Sequence, residues 1–405
     1  MRPSFGTTCQ IVPTIDPNFR ADTNRSICVF GEITDDLVSK LSPEILHIRS
    51  LGDAPITVFI NSNGGNVRCA EFLHDLLTSG AASGRKPRII TVAIGNAGSA
   101  AATLLALGDY AITYSKASIY FHGVRYSEVV EVTMESASSM AAQLESKNRA
   151  TASMLAEAGT MRLAFHYARL KDDFPKIREL LKKPDLSEIE CFARCLKRHL
   201  SQKARKIVDK GIARWQSLQE LSNALAEPNA SGKTGLEFEA TVLHSVINYE
   251  VEKNKNSKWV LDEKGIYQIA SDYLLLRDYD VGRHVRLIET LLSRFSHAFF
   301  NQEEISKITE AAASKSENES ARQLAHSRGH QTIKPFCYFT SMIWQGLQED
   351  ENPLSSKDAY WLGAVDEVYD SGLPCLRDIA EAQDPDQPEL PVSEPAAQPP
   401  PPTTG

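Results

Sequence analysis

One serine in this sequence is well placed to act as a nucleophile. Ser99 follows the apolar segment 89–94, lies in a Gly/Ala-rich stretch, and precedes an apolar helical pattern that starts at Ala100. A serine at a strand-to-helix turn presents its hydroxyl outward, and the unpaired N–H groups of the next turn can bind an oxyanion. The pattern therefore predicts nucleophilic chemistry at Ser99. A small-residue turn that only packs a helix on a sheet is the alternative.

A histidine and a glycine pair lie at the ends of two other predicted strands. His122 ends a strand predicted over 117–122, and Gly64 and Gly65 follow a strand predicted over 56–60. A serine nucleophile needs a base to take its proton and donors for the tetrahedral oxyanion. The His122 ring can be the base, and the glycine backbone leaves room for a substrate because it lacks Cβ atoms. A structural histidine and a plain turn are the alternatives.

The elements that must position these residues alternate between strands and helices. Strands are predicted over 27–31, 56–60, 89–94, 110–114 and 117–122, and helices over 35–50, from Val67, and after Ser99. The helix from Val67 is expected to bury Ala70, Phe72, Leu73, Leu76 and Leu77. This alternation predicts an α/β fold with a largely parallel sheet and a site at the carboxyl ends of its strands.

The chain becomes helical after these strands. A long amphipathic helix is predicted over 129–158, suited to lie against another protomer. The predicted organisation is an irregular N-terminal arm over 1–25, a first core part over 26–159, an inserted helical domain over 160–335, a second core part over 336–377, and a disordered Pro-rich tail over 378–405.

Composition excludes several classes of protein. The chain has 405 residues and a net charge of −8, so it has no overall basic field and nucleic acid is not an expected partner. No apolar run approaches the roughly 20 residues that span a bilayer, so we expect no membrane partner. The seven scattered cysteines form no disulfide framework and favour a reducing cytoplasm.

Several motifs resemble the Clp protease proteolytic subunit family. The motifs with the family's order and approximate spacing are Gly31-Glu32-Ile33, Ile60-Asn61-Ser62-Asn63-Gly64-Gly65, Gly95-Asn96-Ala97-Gly98-Ser99-Ala100-Ala101 and Tyr120-Phe121-His122. The segment 353–366 resembles the family's segment after its catalytic aspartate. The resemblance covers about residues 26–159 and 336–370.

The resemblance implies a fold, an activity and partners. The fold would be a crotonase-type repeated β-β-α superhelix, here with an inserted all-α domain. The activity would be that of a serine endopeptidase that cuts unfolded polypeptides inside a homo-oligomeric ring, fed by an AAA+ ATPase unfoldase. It would need no cofactor and no metal ion.

The resemblance also assigns roles to residues of the predicted catalytic centre. Ser99 would be the nucleophile, His122 the general base, and the N–H groups of Gly65 and Ala100 the oxyanion hole. Glu351 occupies the position of the family's aspartate. A glutamate can orient a histidine because the role requires only a carboxylate that accepts the Nδ1–H.

Alternatives and departures accompany these assignments. Asp350 is the second candidate for the carboxylate.

The substrate would bind along Gly64 and the backbone of Gly123, Val124 and Arg125. In the segment after His122 this chain has one glycine, whereas the family has a glycine-rich segment. A catalytically weak subunit with a structural or regulatory role is the main alternative function. A relative of the crotonases acting on coenzyme A thioesters is a further one.

Overall fold

The computed structural model describes four stretches of the chain and a few single residues. They are residues 23–79, 86–125, 133–225 and 334–375, with residues 295, 298, 299, 303 and 306. The predictions for the arm up to residue 22, for most of the inserted domain beyond residue 225, and for the tail over 378–405 lie outside them. No helix in the described stretches is long and apolar enough to cross a bilayer.

One seven-stranded sheet forms the centre of the fold. Its strands are β1 (Ser26–Phe30), β2 (Ile56–Ser62), β3 (Ile89–Gly98), β4 (Tyr110–Tyr114), β5 (Ser118–Tyr120), β6 (Leu354–Ser355) and β7 (Glu367–Tyr369). β1, β2, β3, β4 and β7 lie side by side in that order, and every neighbouring pair is parallel. The prediction of an α/β fold with a largely parallel sheet is confirmed. The crotonase-type superhelix stays a prediction.

The long strand β3 has different neighbours along its length. Residues 90–93 pair with β4, whereas Asn96–Gly98 pair in parallel with β5. The strand predicted over 89–94 therefore continues to Gly98. β6 pairs antiparallel with the other edge of β5. As a result, the chain leaves β3 at Ser99 directly beside the point where it leaves β5.

Nine helices in the described stretches surround the sheet. They are α1 (Asp35–Ser50), α2 (Val67–Thr78), α3 (Ala100–Ala106), α4 (Met134–Leu170), α5 (Phe174–Leu181), α6 (Glu188–His199), α7 (Gln202–Leu225), α8 (Lys334–Asp350) and α9 (Ser356–Trp361), with short 3-10 helices at Thr23–Arg25 and Lys171–Asp173. Side-chain oxygens of Thr34 and Asn66 accept backbone N–H groups at the starts of α1 and α2. These caps place the helix starts directly after the carboxyl ends of β1 and β2.

Helix α2 buries a narrower face than predicted. Cys69, Ala70, Leu73 and Leu77 are its buried residues, whereas Phe72 is 52% exposed. One residue step turns an α-helix by about 100°, which carries Phe72 off the face that Leu73 and Leu77 share. The prediction that Phe72 points inward is wrong.

Helix α4 crosses the predicted boundary between the core and the inserted domain. It runs without a break from Met134 to Leu170, beyond the helix predicted over 129–158. Gly159 does not end it. A Cβ at Gly159 would lie 2.9 Å from Cε2 of Trp344, so the glycine lets the indole from α8 pack closely on α4. Buried residues on both sides of residue 160 belong to one hydrophobic cluster.

A buried ion pair joins α4 to the sheet. Arg162 Nε lies 2.8 Å from Asp366 Oδ2, and both side chains are 4% exposed. The Arg162 guanidinium also donates to the carbonyls of Ala106 and Gly108, each at 2.9 Å, and Asp366 accepts the Ala111 N–H at 2.7 Å. Burial raises the pKa of Asp366, and the Arg162 charge opposes that shift. The pair therefore ties α4 to the end of α3 and to β4.

Replacing Arg162 with methionine is expected to lower the free energy of unfolding by about 3–5 kcal/mol, because it leaves a buried carboxylate without its cation. Urea denaturation followed by circular dichroism measures the change. Arg68→Met is the control: Arg68 is exposed on α2, and its loss should change stability by about 0.5 kcal/mol or less. Equal effects of the two substitutions would contradict a structural role for the ion pair.

Candidate active site

Ser99 lies on a strained turn between β3 and α3. Its φ of 53° and ψ of −123° lie outside the regions that non-glycine residues normally occupy. Its N–H donates to the carbonyl of Tyr120 at 2.7 Å, which fixes the turn to the end of β5. The Ser99 side chain makes no capping hydrogen bond to α3. Its half-buried hydroxyl is therefore available for another partner, as expected of a nucleophile on such a turn.

The loop after β2 packs directly on this turn. Gly64 and Gly65 both have positive φ, at 106° and 147°. A Cβ at Gly64 would lie 2.6 Å from both the Gly98 carbonyl oxygen and Ser99 Cβ. Any larger residue at position 64 would therefore displace the serine turn. The structure thus brings the predicted glycine pair against the predicted nucleophile.

The two N–H groups predicted to bind an oxyanion lie on these touching loops. Ile33 donates to the Gly64 carbonyl at 2.9 Å and accepts the Asn66 N–H at 2.8 Å. These two hydrogen bonds use the Gly64 carbonyl and the Asn66 N–H, which flank Gly65. The Gly65 N–H takes part in neither bond. Ala100 is the first residue of α3, so its N–H has no partner within the helix. The Cβ position of Gly64 would be only 3.2 Å from the Ala100 nitrogen.

His122 follows β5, and one of its ring nitrogens faces a backbone carbonyl. Gly98 and Tyr120 are partners in the β3–β5 pairing, so His122 leaves the sheet next to Ser99. His122 Nδ1 lies 2.5 Å from the Gly123 carbonyl oxygen. A carbonyl only accepts, so the hydrogen of this bond is on Nδ1, and in the neutral ring Nε2 is then the acceptor nitrogen. Within the described stretches, the ring is not hydrogen-bonded to the Ser99 hydroxyl.

The predicted triad carboxylate, Glu351, contacts the segment that follows His122 but has another partner. Ile119 pairs with Leu354 in the antiparallel β5–β6 ladder, which brings the segment before β6 close to the segment after β5. Glu351 has a positive φ of 49°. Its Oε2 lies 2.6 Å from the Arg125 guanidinium, and this hydrogen bond raises the pKa of Arg125.

Asp350, the second candidate, is also engaged. Its backbone carbonyl and its Oδ2 accept the Asn352 amide at 2.8 and 2.9 Å. Neither carboxylate is hydrogen-bonded to His122 in the described part of the chain. Of the two, Glu351 is the one that contacts the segment after His122, through Arg125.

The segment predicted to pair with a substrate is anchored by a residue that the sequence did not single out. Asn148 on α4 accepts the Val124 N–H through Oδ1 at 2.6 Å. A Cβ at Gly123 would lie 2.9 Å from Asn148 Nδ2. The single glycine thus allows α4 to approach the segment after His122. A lone asparagine in an amphipathic helix gives no signal from which this contact could be predicted.

A polar cleft opens beside the glycine pair. It has a volume of about 560 Å³ and is lined by Gly31, Glu32, Asn61, Ser62, Asn63, Gly64, Gly65 and Asn96. Glu32 and the asparagines belong to the motifs at the carboxyl ends of β1, β2 and β3, and the sequence alone predicts no role for them. Their convergence depends on the parallel order of β1, β2 and β3, which brings three strand ends to one edge.

Comparison with known proteins identifies the family of the first part of the chain. The sequence model of the Clp protease family matches residues 14–163. The chain is similar to ATP-dependent Clp protease proteolytic subunit 3 of Rhizobium meliloti (strain 1021), with 31% identity over 81 residues, which are 20% of this chain and 39% of the relative. It is similar to ATP-dependent Clp protease proteolytic subunit 1 of Cutibacterium acnes, with 32% identity over 108 residues, 26% of this chain and 45% of the relative.

The chain spans less than half the length of each of these two relatives. The matched range includes Ser99, His122 and the glycine pair, and it ends before Asp350 and Glu351. The motifs of residues 26–159 and these matches agree, and residues 14–163 belong to the Clp protease family.

Proposed function

We propose that this chain is a serine endopeptidase that hydrolyses peptide bonds of unfolded or unfoldase-delivered polypeptides. The observation that carries the proposal is the Ser99 turn. Its hydroxyl is not used as a helix cap, Gly64 packs on it without a side chain, and His122 follows the adjoining strand with Nδ1 bonded to a backbone carbonyl. Nucleophile, space for substrate and base thus come from three neighbouring strand ends.

The mechanism follows from these positions. The Ser99 oxygen attacks the substrate carbonyl carbon while Nε2 of His122 takes the hydroxyl proton. The N–H groups of Gly65 and Ala100 donate to the oxyanion of the tetrahedral intermediate. His122 then gives its proton to the leaving amine, and a water molecule repeats the sequence on the acyl-enzyme.

Glu351 is the proposed carboxylate partner of His122. It would accept the Nδ1–H through Oε1 while Oε2 stays with Arg125. The His122 ring must then exchange its bond to the Gly123 carbonyl for one to Glu351. Catalytic hydrogen bonds are often long or misaligned without substrate, and substrate binding along residues 123–125 would bring the groups together.

A catalytically weak subunit with a structural role in an assembly is the second candidate. The Arg125–Glu351 ion pair favours it, because an arginine that holds the carboxylate also withholds it from His122. The two candidates differ in whether Ser99 is reactive.

A fluorophosphonate probe separates the two candidates. Labelling of Ser99 is expected in the wild-type chain, and Ser99→Ala should abolish labelling and lower peptidase turnover by about 10⁴-fold or more. Ser115→Ala, which removes an exposed hydroxyl after β4, should be labelled like the wild type. Labelling that persists in Ser99→Ala would place the nucleophile elsewhere. An unlabelled wild type with an intact oligomer would support the second candidate.

The carboxylate is identified by a pair of isosteric substitutions. Glu351→Gln is expected to lower kcat by about 10²-fold or more, because an amide cannot stabilise the imidazolium as a carboxylate does. Asp350→Asn is the matched control and should change kcat by about threefold or less. Steady-state cleavage of a fluorogenic peptide measures both. The opposite order would assign the role to Asp350.

We further propose that the chain forms a homo-oligomeric ring through α4, with an AAA+ ATPase unfoldase as a partner. The first half of α4 is largely exposed in the single chain, and Met134 is 87% exposed. Met134, Ala137, Ala141 and Leu144 recur at the spacing that puts them on one face. An exposed apolar face on a long helix is suited to bind a second copy.

Charges placed on that face should prevent assembly. Ala137→Lys combined with Ala141→Lys is expected to weaken association about tenfold or more, since it buries cations in an apolar contact. Both alanines are exposed in the single chain, so the fold should be retained. Ser139→Lys, on the opposite side of α4, is the control. Mass photometry over a dilution series measures the effect, and an unchanged double variant would contradict the interface.

A further inference from the structure

The residues that line the polar cleft beside the glycine pair determine which kind of ligand it can bind. Gly64 and Gly65 form part of its wall, and Gly64 is also the residue that contacts Ser99. A polypeptide whose carbonyl oxygen is bound by the Gly65 N–H therefore passes the mouth of the cleft. The volume of about 560 Å³ lies within the range of ligand pockets and is large enough for one long side chain.

Three asparagines form an ordered wall of the cleft. Asn61 Oδ1 accepts the Asn96 N–H at 3.0 Å, and Asn96 Nδ2 donates to Asn63 Oδ1 at 3.2 Å. Gly95 permits this arrangement, because a Cβ there would lie 2.5 Å from Asn61 Oδ1. These bonds leave the Asn96 amide oxygen available as an acceptor.

Glu32 supplies a negative charge to the cleft. The residue on each side of it is held by a backbone bond: Gly31 N–H donates to Asn61 O at 3.1 Å, and Ile33 N–H donates to Gly64 O at 2.9 Å. Its backbone is therefore held at the rim of the cleft. The Glu32 carboxylate is exposed and has no hydrogen bond or ion pair with any residue that the structure describes. Among the residues that the structure describes, no Lys, Arg or His lines the cleft.

We propose that this cleft is a subsite for a basic side chain, lysine or arginine, of the polypeptide substrate. This inference rests on the proposed peptidase function, because it names the substrate preference of the same site. An ammonium or guanidinium group would bind the Glu32 carboxylate and the Asn96 amide oxygen, while its aliphatic stem lies along the glycine wall. A carboxylate side chain would meet the Glu32 charge and be excluded.

Peptide binding to the full-length Ser99→Ala chain tests the proposal without requiring turnover. The probes are fluorescent peptides that carry a single lysine at successive positions, and matched peptides with norleucine or glutamate at the same position. We expect the lysine peptide at one position to bind about fivefold more tightly than the norleucine peptide at low salt, measured by fluorescence anisotropy. The glutamate peptide should bind more weakly than either.

Substitutions at Glu32 assign the preference to the cleft. Glu32→Gln in the Ser99→Ala chain should remove the difference between lysine and norleucine, and Glu32→Lys should reverse the preference toward glutamate. Glu44→Gln is the matched control, because Glu44 is an exposed carboxylate on α1 that does not line the cleft. It should keep the lysine preference.

The outcomes separate the subsite from the peptidase activity. Equal binding of the lysine and norleucine peptides at every position, or a preference that survives Glu32→Lys, overturns the subsite. A lysine preference that depends on Glu32 supports it even if Ser99 is not labelled by the fluorophosphonate probe. In that case the peptidase proposal fails and the binding site remains.

Discussion

The candidate site depends on a backbone contact between two loops. Gly64 lies so close to the Gly98–Ser99 turn that there is no room for a methyl group, and a Cβ at Gly98 would in turn lie 2.8 Å from the Asn63 carbonyl oxygen. The close approach of the two loops therefore requires glycine at position 64 in one loop and at position 98 in the other. Because the loops follow adjacent parallel strands, their contact holds the proposed oxyanion donors and the nucleophile in one rigid unit. The positive φ of Ser99 is tolerated because the surrounding structure leaves the turn no alternative.

The strand ends and helix starts around this contact were predictable from the sequence, because local signals determine them. Glycine and asparagine follow β2, apolar runs form the strands, and the bounds predicted for α1 agree with the structure. Phe72 and the end of α4 were not predictable in the same way. The outward position of Phe72 depends on which face of α2 meets the sheet, and Gly159 was compatible with either a helix end or a packing site for Trp344.

The side-chain contacts of the site depend on residues far apart in sequence. Glu351 meets Arg125 across more than two hundred residues, and Asn148 reaches Val124 from α4. Tertiary packing determines contacts of this kind. They produce no periodicity or spacing in the sequence from which they could be predicted. They also shape the electrostatics. Arg125 is paired with Glu351, whereas the exposed carboxylate of Glu32 lines the cleft beside the glycine pair.

The continuity of α4 has a mechanical consequence. Asn148 and Arg162 are 14 residues apart on this one helix, a separation of about 21 Å at 1.5 Å per residue. The first holds the segment that follows the proposed base, and the second is paired with Asp366 at the sheet. A helix is stiff along its axis, so a force applied to the helical part of the chain beyond residue 170 would be transmitted along a single rod. Axial tension in α4 would therefore meet the Arg162 anchor, and with it the end of α3, before it reached Asn148 and the segment after His122.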